Sequence, residues 1–434
     1  MKKVAFITLG CKVNQYESNA MAELFIKKGY EVIEPTKKAD IYVINTCTVT
    51  NMSDRKSRQA LRKVKEENPH AIIIACGCYV QVAKKELEQI KEIDLVLGNN
   101  EKKKIVEYTE ELIKEGKRLQ VDIEDVLYGN KGFIDFGDIT YTEKTRAVIK
   151  VQDGCDRFCT YCIIPYARGR VRSRKPENVI SEIEKIAQKG IKEVVITGIH
   201  IASYGKDFKE NYKLIDLLED INKIEGIQRI RLGSIEPLLI TEEFVQRLKK
   251  LEKICHHFHL SLQSGCDNTL KRMNRRYTTE EFRNIVKILR NNYNDVILTT
   301  DIIVGFPGET EEEFKITYNF LKEINFYKMH VFKYSPRKGT KAAAMKNQID
   351  GNVKEERSNI LLQLSDENEM NYNKKYIGKE IEVLFEEEKN GYYQGHTANY
   401  ILVKCKSQEN INEKVCKVTG KIAENDCIIA VLGG

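Results

Sequence analysis

The chain has 434 residues, of which 31% are charged and 41% apolar, with a formal net charge of +7. That length exceeds one ordinary domain, so two or three are expected. No apolar run approaches the roughly 20 residues that cross a bilayer, which argues against membrane-spanning helices, and the modest positive excess is compatible with an anionic partner without demanding one.

Residues 1–116 alternate strand and helix. VAFITL from Val4, IYVINT from Ile41, AIIIAC from Ala71 and DLVLG from Asp94 are short apolar runs. A helical pattern over 15–28 and another in SDRKSRQALRKVKEE lie between them. Apolar strands separated by amphipathic helices predict an α/β domain, a doubly wound parallel sheet covered on both faces. The apolar start of MKKVAFITLGCKVNQ stops at Leu9 and leads straight into this pattern, so it reads as a first strand and not as a leader, and a cytoplasmic location is expected. Residues 117–143, rich in Asp and Gly, read as a linker or an edge hairpin.

Residues 144–371 repeat the alternation with AVIKV, EVVITG, IQRIRLG, HHFHLSL, VILTTDIIVG and MHVFKY as strands. PENVISEIEKIAQKG, with Pro176 near its start, and TTEEFRNIVKILRNN are helical patterns between them. Six strand–helix units predict a partial (β/α)6 barrel. Residues 372–434 change character: EIEVLFEE, GYYQGHTANYILVKC, KVCKVTGKI and CIIAVLG are short strands parted by Gly and Asn turns, which predicts a small all-β barrel of OB-like size.

The twelve cysteines carry the chemistry. In a reducing compartment they serve metal binding, catalysis or core packing in preference to disulfides. Cys155, Cys159 and Cys162 fall within VQDGCDRFCTYCIIPYARGRVRSR, directly after a predicted strand. Three thiolates on so short a loop can hold three irons of a 4Fe–4S cluster and leave the fourth iron open to a ligand. A zinc knuckle would need a fourth ligand, and no His or Cys follows within thirty residues. A second set is dispersed: Cys11 follows VAFITL, Cys47 follows IYVINT, and Cys78 follows AIIIA. Parallel strands put all three on the C-terminal edge of one sheet, where open α/β sheets bind ligands. Cys76, two residues before Cys78, would point to the other side. Cys255, Cys266, Cys405, Cys416 and Cys427 lack ligand spacing and read as core.

The CxxxCxxC loop, with Tyr161 before its last cysteine, resembles the radical S-adenosylmethionine (SAM) superfamily. Together with GCKVNQYES, NTCTV, GCYVQ, LQSGCDNTLKRMNRRYT and DIIVGFPGET, it resembles the methylthiotransferase family of radical SAM enzymes along the whole chain. The resemblance implies two 4Fe–4S clusters, an auxiliary one on Cys11, Cys47 and Cys78 and a SAM-cleaving one on Cys155, Cys159 and Cys162. It implies that Tyr161 lies near the SAM adenine, Thr197 and Gly198 near the methionine amino group, and Glu236 near the ribose; Glu236 has helix capping or a surface position as its alternative. The C-terminal barrel resembles the family's RNA-binding TRAM domain.

The implied reaction replaces a C–H bond by C–S–CH3 with two SAM, a sulfur donor and a reductant of flavodoxin or ferredoxin type. GCKVNQYES with CIIPYARGRVRSR most resembles the branch acting on N6-threonylcarbamoyladenosine at position 37 of tRNA. The alternatives are the branches acting on isopentenyladenosine in tRNA or on an aspartate of a ribosomal protein. Arg168, Arg170, Arg172, Arg174 and Lys175 read either as phosphate contacts, as ligands of the SAM carboxylate, or as a solvated basic stretch. Tyr392, Tyr393, His396 and Tyr400 read as base-stacking residues or as barrel core.

Overall fold

The computed structural model describes residues 1–433 apart from 88, 117, 122, 129–131, 143 and 144. Its first sheet has six strands, β1 (Lys3–Thr8), β2 (Glu31–Ile33), β3 (Ile41–Thr46), β4 (Ile72–Gly77), β5 (Leu95–Leu97) and β6 (Leu119–Gln120), in the order β2-β1-β3-β4-β5-β6. Every pairing is parallel. Alternation along the strands separates two cores. Val4, Phe6, Ile41, Val43, Ile74 and Leu95 meet helices α1 (Lys12–Lys27) and α5 (Ile105–Glu115) on one face. Ala5, Tyr42, Ile44, Ile73 and Val96 meet α2 (Asn51–Glu67) and α3 (Cys78–Val82) on the other, with the short α4 (Lys84–Leu87) following. The sheet turns back on itself at β1, so the edge beyond β1 and β3 is a topological switch point, the usual place for a ligand.

The connection after α5 is packed, not free. Phe136 and Ile139 are buried in the first core, and β6 extends the sheet in parallel where a hairpin would be antiparallel. Residues 117, 122, 129–131 and 143 of the expected linker lie outside the described residues.

The central unit runs β7 (Arg146–Asp153), α6 (Ile164–Arg168), β8 (Arg172–Ser173), α7 (Pro176–Gln188), β9 (Glu193–Gly198), α8 (Leu214–Asn222), β10 (Arg229–Leu232), α9 (Glu242–Leu248), β11 (His257–Gln263), α10 (Asp267–Arg272), α11 (Thr279–Asn292), β12 (Ile297–Val304), α12 (Glu311–Ile324) and β13 (Lys328–Lys333). β7, β9 and β10 pair in parallel, as do β11, β12 and β13. Isolated bridges Ile230–Ile254 and Ile235–Leu260 join the two groups. The result is an arc of parallel strands in chain order, the expected partial (β/α)6 barrel. Among the described residues β7 and β13 do not pair, and β7 carries the antiparallel β8 on its free edge. Thr278 with Glu281 and Thr310 with Glu313 close capping boxes at the starts of α11 and α12.

A helix the sequence reading did not identify, α13 (Gly351–Lys374), runs through the expected boundary at 371/372 and packs along β13. Beyond it β14 (Glu380–Lys389), β15 (Tyr392–Thr397), β16 (Leu402–Cys405), β17 (Val415–Ala423) and β18 (Ile428–Leu432) close a barrel in the order β14-β15-β16-β18-β17. Three arginines at the N-terminal ends of the central strands dock it. Arg146 pairs with Glu386 at 2.8 Å. Arg229 reaches Glu382 at 2.9 Å and the His396 carbonyl at 3.0 Å. Arg231, fully buried, donates to Glu193 at 2.7 Å and to the carbonyls of Ala398 and Thr397 at 2.9 and 3.2 Å. The Tyr400 ring lies beneath the Arg231 guanidinium and between His257 and His396, each ring centroid 4.7 Å away. Both faces of Tyr400 and one face of His396 are therefore occupied by protein and not free to stack on bases. Truncating Arg231 to alanine leaves Glu193 short of its nearest partner and unties two carbonyls. We expect a loss of about 3 kcal/mol in chemical denaturation, with faster proteolysis just after Lys374.

Candidate active site

β1, β3 and β4 are neighbours, so the residues that follow them meet at one edge. Cys11 is the N-cap of α1, Cys47 follows Thr46 directly, and Cys78 opens α3. Two glycines permit the approach. Gly10 has φ +100°, and a Cβ on it would stand 2.8 Å from the Cys47 sulfur. Gly77 has φ +102°, and its Cβ would stand 2.5 Å from the Thr46 carbonyl. Burial raises the Cys47 thiol above its usual range, and the neighbouring Cys78 and Cys11 add to it. Cys47 and Cys78 are buried, whereas Cys11 is exposed. Cys76 faces the first core instead, among Val4, Phe6 and Leu97.

The second trio lies beyond the C-terminal end of β7. Gly154 has φ +71°, and a Cβ there would stand 1.8 Å from the Arg170 carbonyl, so only glycine lets the loop fold back on itself. Cys155 N donates to the Gly169 carbonyl at 3.0 Å, and Thr160 is tied to the carbonyls of Met273 and Arg272 at 3.1 and 2.9 Å. The loop is thus anchored on both sides. Arg275 donates to the Cys159 sulfur at 3.5 Å and the Arg157 amide to that of Cys155 at 3.5 Å. Burial pushes Cys155 up to about 11 and Cys162 up to about 12, so a metal bound here would have to displace protons.

The residues tied to SAM by resemblance surround this loop. Tyr161 packs edge-on against Phe306, 6.4 Å between centroids. Thr197 is buried at the end of β9, and Gly198 is held so closely that a Cβ would sit 2.9 Å from the Gln152 carbonyl. Glu236 makes no helix-capping bond and is buried, which removes both of its alternative roles. It accepts from His200 Nε2 at 2.7 Å, with Arg157 at 3.4 Å and Arg275 at 3.9 Å. His200 carried no signal as a single letter, and Arg275 stood only as one basic residue of the KRMNRRY run; the fold brings both to the loop.

The two trios are joined by a buried ion cluster. Arg168, just after the second trio and fully buried, donates Nε to the Cys78 sulfur at 3.2 Å. Its remaining nitrogens reach Asn14 at 2.6 Å, Asp153 at 3.4 Å and both oxygens of Glu17. Glu17 also takes Lys102 and, at 2.7 Å, Lys150. Burial alone would raise Glu17, but Arg168, Lys102 and Lys150 outweigh it and hold the carboxyl well below its usual range. Asp153 is likewise drawn down to about 2, against its burial, by Lys150, Arg168 and Arg172. Arg174 is buried against Glu182 at 2.8 Å and Tyr16 at 3.2 Å. The expectation that this arginine run contacts phosphate is therefore corrected for Arg168, Arg172 and Arg174, which are interior; Arg170 and Lys175 are exposed. The available signal was on α1: Asn14, Glu17 and Ser18 continue the helical stripe of the buried Met21 and Phe25.

The donor sets fit iron–sulfur clusters better than single ions. Among the described residues, neither trio has all three sulfurs within 4.8 Å of one another. Thiolates on one zinc ion stand roughly 3.8 Å apart, whereas a cluster gives each thiolate its own iron and spreads them.

Residues 149–321 match the Radical SAM superfamily, and residues 3–98 match the family described as uncharacterized protein family UPF0004. The threonylcarbamoyladenosine tRNA methylthiotransferase MtaB of Bacillus subtilis is 42% identical over 96% of this chain and 93% of its own. The tRNA-2-methylthio-N(6)-dimethylallyladenosine synthase of Clostridium perfringens is 36% identical over 87% of this chain and 85% of its own. Among solved structures, the radical SAM methyltransferase TsrM of Kitasatospora setae, with tryptophan and a SAM analogue bound, shares the fold at a TM-score of 0.56 and 16% identity, over 76% of this chain and 73% of that one. With both cysteine sets on one interface and relatives matching nearly end to end, the chain belongs to the radical SAM methylthiotransferase family.

Proposed function

We propose that the chain converts N6-threonylcarbamoyladenosine at position 37 of tRNA to its 2-methylthio derivative, using two SAM and a sulfur donor. In this reading Cys155, Cys159 and Cys162 hold the SAM-binding 4Fe–4S cluster and Cys11, Cys47 and Cys78 a second one. The observation that carries it is the contact of Arg168 with the Cys78 sulfur at 3.2 Å, which brings two thiol trios from separate sheets to one interface. A substrate served by both centres needs that arrangement. The name borne by the Bacillus subtilis relative supports the nucleoside.

The C2–H of an adenine offers no acidity that a side chain can exploit, so acid–base catalysis alone cannot replace it. The chemistry supplied by the clusters when bound is one-electron cleavage of SAM to a hydrogen-abstracting radical and delivery of methylated sulfur. The protein's own residues bind and shield. Tyr161, backed by Phe306, offers a flat apolar surface for the adenine of SAM. Thr197 and Gly198 present the end of β9 to its amino group. Glu236 stays ionised and accepts from the ribose hydroxyls. Arg275 orients the Cys159 sulfur by a hydrogen bond at 3.5 Å. The substrate adenosine is unpaired in the anticodon loop, so presenting it costs less than extracting a base from a duplex. Arg170, exposed beside the loop, stacks on Phe158 at 4.8 Å and lies 3.5 Å from Asp156, which a phosphate would displace. The C-terminal barrel, read as a TRAM domain, holds the RNA. A flavodoxin- or ferredoxin-type reductant in the cytoplasm completes the set.

The deciding experiment is mass spectrometry of nucleosides from bulk tRNA of cells with and without the gene. Loss of the 2-methylthio derivative with build-up of its precursor is expected. A loss confined to 2-methylthio-isopentenyladenosine, or unchanged tRNA with an altered ribosomal protein, would redirect the assignment. Anaerobically reconstituted protein should carry about eight irons per chain, and replacing either trio by alanine should leave about four. A third expectation concerns pH. Burial would raise Glu236, but the His200 hydrogen bond and the charges of Arg275 and His200 bring it from 4.5 to about 2. A carboxyl so depressed stabilises the fold in full above about pH 4.5 and loses that contribution as the pH falls through its folded value. Glu236→Gln should therefore be less stable than wild type by on the order of 3 kcal/mol above that pH, and urea titrations should show the gap closing toward pH 2.

A further inference from the structure

A cavity of about 390 Å³ lies where the N-terminal domain, the central barrel and the C-terminal barrel meet. Lys12 enters it from the N-terminal domain, His257, His259 and Asp301 from the central strands, and Tyr400 from the C-terminal barrel. It adjoins the candidate site, because Lys12 is the residue after Cys11. Two of the three acids on its wall are ion-paired, Glu369 with Lys328 at 2.9 Å and Asp426 with Lys404 at 3.8 Å, and Asp301 lies 3.2 Å from His259 Nε2. Lys12 is exposed to the cavity and has no ion pair or hydrogen bond among the described residues. A second group is also left wanting. His257, 6% exposed, shares the Thr299 hydroxyl with His259 at 2.9 and 3.0 Å, yet its Nδ1 has no partner. The cavity therefore offers one unpaired cation and two imidazole nitrogens without a hydrogen bond, His257 Nδ1 and His259 Nε2, beside an aromatic floor.

We propose that this cavity is the subsite for an anionic amino-acid substituent on the substrate base, with Lys12 binding its carboxylate. The inference rests on the substrate reading above and deepens it: a threonylcarbamoyl group carries a carboxylate, a hydroxyl and a urea, which match a lysine and hydrogen-bonding imidazoles. An apolar substituent of similar length would bury Lys12 without a counter-charge. Sites built around a polar group discriminate strongly against analogues that lack it, because the site's own groups are then left unpaired. Lys12 is thus a specificity-determining residue one position from a candidate cluster ligand.

The test uses reconstituted holoenzyme and anticodon stem-loops carrying threonylcarbamoyladenosine, its methyl ester, or isopentenyladenosine. Wild type should prefer the acid to the ester by about tenfold or more in kcat/KM, chiefly through KM. Lys12→Met should abolish that preference by weakening the acid alone, and Lys12→Arg should restore most of it; iron content of each variant reports whether the cluster site survived. Equal use of acid and ester by wild type would overturn the proposal, as would a Lys12→Met variant with full iron that still prefers the acid. The acid–ester comparison on wild type stands even if Lys12→Met fails to load iron. Turnover of the isopentenyl substrate alone would sink the substrate reading itself, and with it this subsite.

Discussion

Two carboxylates, Glu17 and Asp153, are buried with four cations, Lys102, Lys150, Arg168 and Arg172, at the seam between the first two domains. Removing such charges from water is expensive, and the cost is met only while every partner is present. The seam therefore behaves as one unit. Separating the domains would strand Glu17 from Lys150 and Arg168, both of which come from the central barrel, while Lys102 comes from the first domain. The cluster also leaves positive charge in excess, and Arg168 Nε donates to the Cys78 sulfur at 3.2 Å, so the interface that holds the domains together also reaches that thiol.

The other end of the molecule uses a different device. Arg146, Arg229 and Arg231 fasten the last barrel to the strand starts through ion pairs and backbone carbonyls, and Tyr400 plugs the gap between them. Tyr400 has φ +76°, unusual for a bulky residue, so the turn is strained to put the ring there. A half-barrel that does not close on itself is in this way walled on one side by the N-terminal domain and floored by the C-terminal one. A radical enzyme needs such a vessel, since solvent and stray side chains are competing hydrogen donors.

Much of this was legible in the sequence. The strand runs, the three-part division of character and the convergence of Cys11, Cys47 and Cys78 on one sheet edge follow from period and direction alone. The arginines after Cys162 were not legible, because a basic run has the same letters whether it faces solvent or an internal acid; the acids in question, Glu17 and Glu182, lie 151 and 8 residues from Arg168 and Arg174. The partners of Glu236 were hidden in a similar way: His200 stood alone, and Arg275 was one letter of the basic run KRMNRRY. Helix α13 escaped notice because its apolar residues do not gather on one stripe: it buries Ser358, Ser365 and Asn368 alongside Leu361 and Leu364. The aromatics of the last barrel stayed open between two readings because stacking on protein and stacking on bases demand the same ring.

Helix α1 starts directly after its N-cap Cys11 and, within two turns, carries Asn14, Tyr16, Glu17 and Ser18, each bonded to a different neighbour. Sulfur position and domain registration are consequently set by one rigid rod. A shift of that rod along its axis moves the thiol and the seam by the same amount, so neither can drift without the other. Substitutions far from any cysteine, on the barrel side of the seam, thereby acquire a mechanical route to the position of the Cys11 thiol.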